Sequence, residues 1–196
     1  LASAAFVAFM FVPTGALSQG SGWTPKGSMP FERGEIAVAA VNDKIYVISG
    51  SSRGVEANAF NQEFDPATGM WRERALMPSV ASHAGVAVLN GKIYIVGGFV
   101  ANVHVGAVNR VFEYDPAADR WRALAALGAP RGSPGVVALN GKIHAIGGRD
   151  PDRHTGSTHE NYAPATNALG LAAPPPPPLK VATGPPGTGV LGGATC

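Results

Sequence analysis

Cysteine is almost absent: Cys196 is the single one, at the end of a 196-residue chain, so no internal disulfide framework and no cysteine-rich metal site can form. Charge is scarce as well. Only 14% of residues are charged and the net charge is +2, too small and too scattered for a nucleic-acid surface, and no Lys/Arg cluster is interleaved with aromatics. Catalytic templates are missing: there is no Gly-x-Ser-x-Gly elbow, no phosphate loop and no His-Glu-x-x-His pair. One long charge-free apolar run occurs, Leu1 to Leu17, and Pro13 and Gly15 interrupt it. With small residues at Ala16 and Ser18 it reads as a signal segment over residues 1–18, an uncleaved anchor being the other reading. The chain is therefore expected to be secreted or periplasmic, with no membrane span once that segment is removed.

What the chain has in quantity is glycine, 26 of them, and a repeat. Asn90-Gly91-Lys92-Ile93-Tyr94-Ile95-Val96-Gly97-Gly98 recurs as Asn42-Asp43-Lys44-Ile45-Tyr46-Val47-Ile48-Ser49-Gly50 and as Asn140-Gly141-Lys142-Ile143-His144-Ala145-Ile146-Gly147-Gly148. Lys44, Lys92 and Lys142 are spaced 48 then 50 residues apart, and Trp23, Trp71 and Trp121 keep the same spacings. A period near 50 with several short strands per unit predicts an all-β propeller, one four-stranded blade per unit. In the second unit Gly85 to Leu89 is the small, apolar inner strand and Asn90-Gly91 the tight hairpin turn; Lys92 to Val96 follows as strand two. Arg110 to Tyr114 is strand three, and the Asp115-Pro116 turn leads to Trp121, which opens the outer strand.

A Gly-Gly pair, then Tyr-Asp-Pro, then Trp, with Leu-Asn-Gly-Lys-Ile before the glycines, resembles the kelch repeat. The resemblance runs from Trp23 to about Leu169, with repeat positions Gly50, Gly97, Gly98, Gly147, Gly148, Trp23, Trp71, Trp121, Asp65 and Asp115. Units are expected at about 30–77, 78–127 and 130–170. The third is weakened: His144 replaces a tyrosine, Ala163 an aspartate and Leu169 a tryptophan. Residues 171–196, with five consecutive prolines from Pro174 to Pro178, read as a degenerate blade or a disordered Pro/Gly tail.

Residues 22–29 match the outer strand after each tryptophan, and kelch propellers close with such an N-terminal outer strand completing the last blade. Three blades do not make a ring, since propellers have about four to eight. Each end blade would leave a sheet face of roughly 500 Å² uncovered, on the order of 10 kcal/mol of burial at about 25 cal/mol per Å². The expected whole is a larger ring, six-bladed, or one completed by self-association of the chain.

Function is expected where the repeats differ. On the lysine spacing Arg33, Ala81 and Arg131 are equivalent, as are Glu35, His83 and Ser133, all just before the inner strand. The resemblance implies that this region opens onto the central channel, with the loops after the glycines on the same face. The candidate binding residues are Arg33, Glu35, Arg53, His83, His104, Arg131, Ser133, Arg149, Asp150, Arg153 and His154. Arginines there suit a carboxylate or sugar acid; the duller alternative is that they cap backbone carbonyls. Asp150, Asp152, His154 and His159 show no spacing that a metal demands, so no metal and no cofactor is assigned. The copper radical oxidases that share kelch propellers need a cross-linking cysteine, and Cys196 cannot serve. The resemblance implies noncovalent binding of a protein or glycan through loops on one face, with a carbohydrate-active enzyme, such as a sialic acid epimerase or mutarotase, as the alternative.

Overall fold

Antiparallel hairpins follow one another along the whole of the repeat region in the computed structural model, which describes residues 22–52, 56–101 and 104–171. Twelve strands lie among those residues: β1 Ala37–Val41, β2 Lys44–Ile48, β3 Asn61–Asp65, β4 Met70–Glu73, β5 Gly85–Leu89, β6 Lys92–Val96, β7 Val111–Asp115, β8 Arg120–Ala123, β9 Gly135–Leu139, β10 Lys142–Ile146, β11 His159–Ala163 and β12 Ala168–Leu171. They form three four-stranded sheets in simple meander order, β1 to β4, β5 to β8 and β9 to β12. Strand three of the middle unit sits one residue later than the sequence suggested, and the outer strand opens at Arg120, one residue before Trp121.

Local chemistry explains the hairpins. Asn90 and Gly91 take φ values of 51° and 72°, the left-handed pair that a two-residue turn between twisted strands requires, and Asn140 and Gly141 repeat it. After strand three, the Asp65 carboxylate accepts from the amide of Ala67, and Asp115 from those of Ala117 and Ala118, which closes each turn into the outer strand. Lys44 reaches Asp65 at 3.0 Å and Lys92 reaches Asp115 at 3.4 Å. Ala163 removes this pairing from the third blade, yet the blade keeps all four strands in register, with Tyr162 opposite Leu169 just as Tyr114 lies opposite Trp121. The weakened motif thus costs side-chain pairs, not the sheet. Leu171 belongs to β12 rather than to the tail.

The blades pack face to face through two cores. Ala37, Ala39, Val41, Tyr46 and Ile48 of the first blade meet Ile93, Ile95 and Tyr114 of the second. Ala87, Tyr94, Val96 and Val111 of the second meet Ile143, Ala145 and Tyr162 of the third. Small side chains fill the inner strands because neighbouring blades converge there. A polar latch joins the outer parts: Trp121 Nε1 donates to the carbonyl of Ala75 at 2.7 Å, and the amide of Ala75 donates to Asp119 at 2.9 Å. Trp71 is the same residue of the first blade, and its buried Nε1 has no partner among the described residues. The blade that would present the carbonyl is not among the three sheets.

Residues 22–29, expected as an orphan outer strand, form no strand. An outer strand exists only by pairing with a third strand, and each sheet already has its own fourth in β4, β8 or β12. Trp23 is accordingly 90% exposed, unlike Trp71 and Trp121. The signal segment, Arg53 and the proline-rich stretch lie outside the described residues.

Candidate functional site

Just before each inner strand the chain makes the same unusual step. Glu35, His83 and Ser133 have φ values of 56°, 50° and 53°, a left-handed conformation that glycine adopts at least cost, and none of the three is glycine. The preceding residue in each blade is held by a paired bridge to the residue after Ser49-Gly50, Gly97-Gly98 or Gly147-Gly148: Gly34 with Ser51, Ser82 with Phe99 and Gly132 with Arg149. The blades are then stitched to one another, because the amide of His83 donates to the carbonyl of Glu35 at 3.0 Å and that of Ser133 to the carbonyl of His83 at 2.9 Å. Repeat geometry therefore places one polar side chain per blade along a single arc at the inner rim.

Two of the three side chains meet, with help from the loops. Glu35 Oε2 accepts from the Ser51 hydroxyl at 2.7 Å and lies 3.2 Å from His83 Nδ1, close but not aligned for a hydrogen bond. His83 Nε2 faces His104 Nε2 at 3.3 Å. Phe99, fully buried, turns its ring edge-on to both imidazoles and lies against Gly132, where any Cβ would collide with it. Burial holds His83 below the ordinary histidine pKa; the nearby Glu35 charge opposes this, and the charges of His104 and Arg149 add to it. A neutral imidazole beside a carboxylate, with a guanidinium in electrostatic range, can accept a proton or a cation and can seat an anion.

Other expected site residues point elsewhere. Arg131 is buried: it pairs with the Glu160 carboxylate and donates to the carbonyls of Thr158 and Gly147, while Glu160 also accepts the amide of Gly128. Arg33 donates to the carbonyl of Val47 at 2.9 Å and lies over the Phe60 ring, with burial lowering its pKa. Arg131 caps the scaffold and is fully engaged there, whereas Arg33 meets one carbonyl and keeps Nε and Nη1 buried without a partner among the described residues. Asp150, Arg153 and His154 form a local turn, in which Asp150 accepts from the amide of His154 and lies 3.3 Å from its Nδ1. That amide first, and the imidazole after it, hold Asp150 below the usual carboxylate range. Asp150, Asp152 and His154 bring ligand atoms within 4.8 Å of one another on an exposed loop, a proximity their spacing did not suggest, whereas His159 turns away to His144, 3.0 Å from Nε2 to Nδ1. Blade three loses both members of the buried Tyr46–Glu63 and Tyr94–Glu113 pairs and acquires two histidines nearby.

Ser51, Phe99 and Glu160 are the residues that sequence reasoning missed. Repeat alignment gives no signal for Glu160, since Gln62 and Phe112 occupy its place in the other blades.

A comparison with curated proteins gave no match. Among solved structures, that of YjhT is similar at a TM-score of 0.63 and 15% identity, over 72% of this chain and 52% of that one. The chain thus spans about half the length of that structure, and the likeness is one of fold. Family models described as Kelch motif match residues 32–78 and 81–128, which are the first two blades, and the third shares their strand order and register. Three meander sheets, repeated Gly-Gly and Asp-Pro turns and these two matches make the chain a member of the kelch-repeat family, folded as a partial β-propeller.

Proposed function

We propose that this chain is part of an exported propeller that binds a protein or glycan noncovalently at the inner rim, with an anionic group of the ligand seated by Arg149. The observation that carries this reading is the arc of Glu35, His83 and Ser133. Three left-handed positions are filled by polar side chains where glycine would be less strained, and such strain collects at ligand sites. The variable loops project around a scaffold in which Arg131 and Glu160 pair with each other internally, so the rim is free to vary. Export rests on residues 1–18 alone. No helix among the described residues is long and apolar enough to cross a membrane.

The test uses N-acetylneuraminic acid as a carboxylated sugar probe beside neutral galactose, observed by saturation-transfer NMR. Binding of the acidic sugar, weakened at least about 10-fold by Arg149→Ala, is the expected result, about the loss of one charge-assisted hydrogen bond. Equal affinity in the variant removes Arg149 from the site.

His83, neutral at pH 7 and close to Glu35, favours a second reading, a carbohydrate-active enzyme that moves a proton during interconversion of sugar anomers or epimers. It requires sialic acid anomer exchange faster than in buffer and lost in His83→Asn. Exchange at the buffer rate discards it.

A further inference from the structure

His83 and His104 present the same ring nitrogen to each other, and two lone pairs cannot face at 3.3 Å without something between them. A proton is one solution. A metal ion is the other, and the spacing has the value it demands: two imidazole nitrogens about 2.0–2.1 Å from a tetrahedral zinc ion lie about 3.3 Å apart. We propose that His83 Nε2 and His104 Nε2 bind one divalent transition cation of the zinc type at the inner rim.

The surroundings distinguish this pair from the others in the chain. Metal-ligating histidines are commonly held by a carboxylate on their second nitrogen, which fixes the tautomer that leaves Nε2 free. Glu35 Oε2, held by the Ser51 hydroxyl, stands 3.2 Å from His83 Nδ1, out of line for a hydrogen bond as placed but near enough to take that role with a small turn of the ring. Phe99 walls the pair with its ring edge, 5.9 Å and 5.5 Å from the two imidazoles between centroids, and so limits their rotation. Both histidines sit at left-handed φ, 50° and 61°, so each ring direction is set by backbone that few residues tolerate. His144 and His159 also approach each other, but no carboxylate backs either ring among the described residues. Arg149 adds a positive charge within electrostatic range, which the Glu35 carboxylate offsets. Two protein ligands leave two tetrahedral positions for solvent or for oxygen atoms of a ligand.

The proposal stands apart from glycan binding, because it is read with the metal alone. Titration of the full chain with Zn²⁺ by calorimetry, and with Co²⁺ by its visible absorption, is expected to show a site lost in His83→Asn and in His104→Asn. Asparagine tolerates left-handed backbone and so keeps the fold, which circular dichroism checks. Glu35→Gln should weaken binding by about 10-fold to 100-fold through the loss of the orienting carboxylate. A His144→Gln, His159→Gln double variant should bind unchanged. In the unmodified chain the imidazole ¹⁵N resonances of His83 and His104 should move with Zn²⁺ ahead of those of His144, His154 and His159, a readout independent of any variant's folding. Binding that survives both asparagine variants, or resonances of His83 and His104 that stay in place, overturns the proposal.

Discussion

Ser49 shows what one side chain does to a repeat. It stands where Gly97 and Gly147 stand in the other blades, with φ 58°, fully buried, and its hydroxyl has no partner among the described residues. Ser49→Gly should raise stability by about 1 kcal/mol in urea unfolding, by removing left-handed strain and an unpaired buried hydroxyl; a lower midpoint would mean that the hydroxyl contributes more than the strain costs. His83 makes a second prediction at this scale. Its folded-state pKa is depressed, chiefly by burial, so the unfolded chain takes up the proton first as pH falls. The stability it contributes is fully present above the unfolded value of about 6.5 and is lost as pH falls through the folded value. An NMR titration midpoint for His83 below that of a free histidine is expected, and one at or above it would contradict the desolvation argument. That Glu35, His83 and Ser133 are equivalent was legible from lysine spacing. Their left-handed backbone was not, because Glu and Ser seldom take positive φ and histidine does so too rarely to mark a position.

Elements carry the next level. The hairpins were readable because Asn-Gly turns and alternating strands are decided within about ten residues. Arg131 was not readable: its partner Glu160 lies on β11, 29 residues on, at a position where the other blades carry no acid. Arg131→Ala should therefore cost about 3–5 kcal/mol by chemical denaturation, since it strands a buried carboxylate, and Arg131→Met with Glu160→Met should recover most of that. A loss below about 1 kcal/mol would show that water satisfies Glu160. Tyr46 is pushed up to about 12, first by burial and then by its bond to Glu63, so its hydroxyl stays protonated and donating across the physiological range.

At the scale of the molecule the blades are unequal. The inner strand β5 is covered on both faces, whereas β1 and β9 alternate between covered and exposed residues. Val38 on the first blade and Val137, Leu139 and Ile146 on the third are exposed apolar side chains, and the buried N–H of Trp71 has no partner among the described residues. The first blade's open face corresponds to the face that blade two docks on blade one, and the third blade's to the face that receives. Self-association of the chain through these faces predicts a sedimentation mass above one chain that falls to one chain in Val137→Glu with Leu139→Glu. A single-chain mass at all concentrations before substitution would exclude it.

The sequence by itself determined the blades: their number over this stretch, their strands and their turns. Each depends on φ preferences and ladder pairing between residues that are close along the chain, and a 48-to-50-residue repeat displays these several times over. Tertiary structure alone decided which polar groups meet. Glu35 reaches His83 from one blade to the next, His83 reaches His104 across a bridge, and Arg131 turns inward to Glu160. Those meetings depend on how the blades converge and on which face each rim residue presents, and that angle is set by apolar packing between sheets that no single repeat encodes.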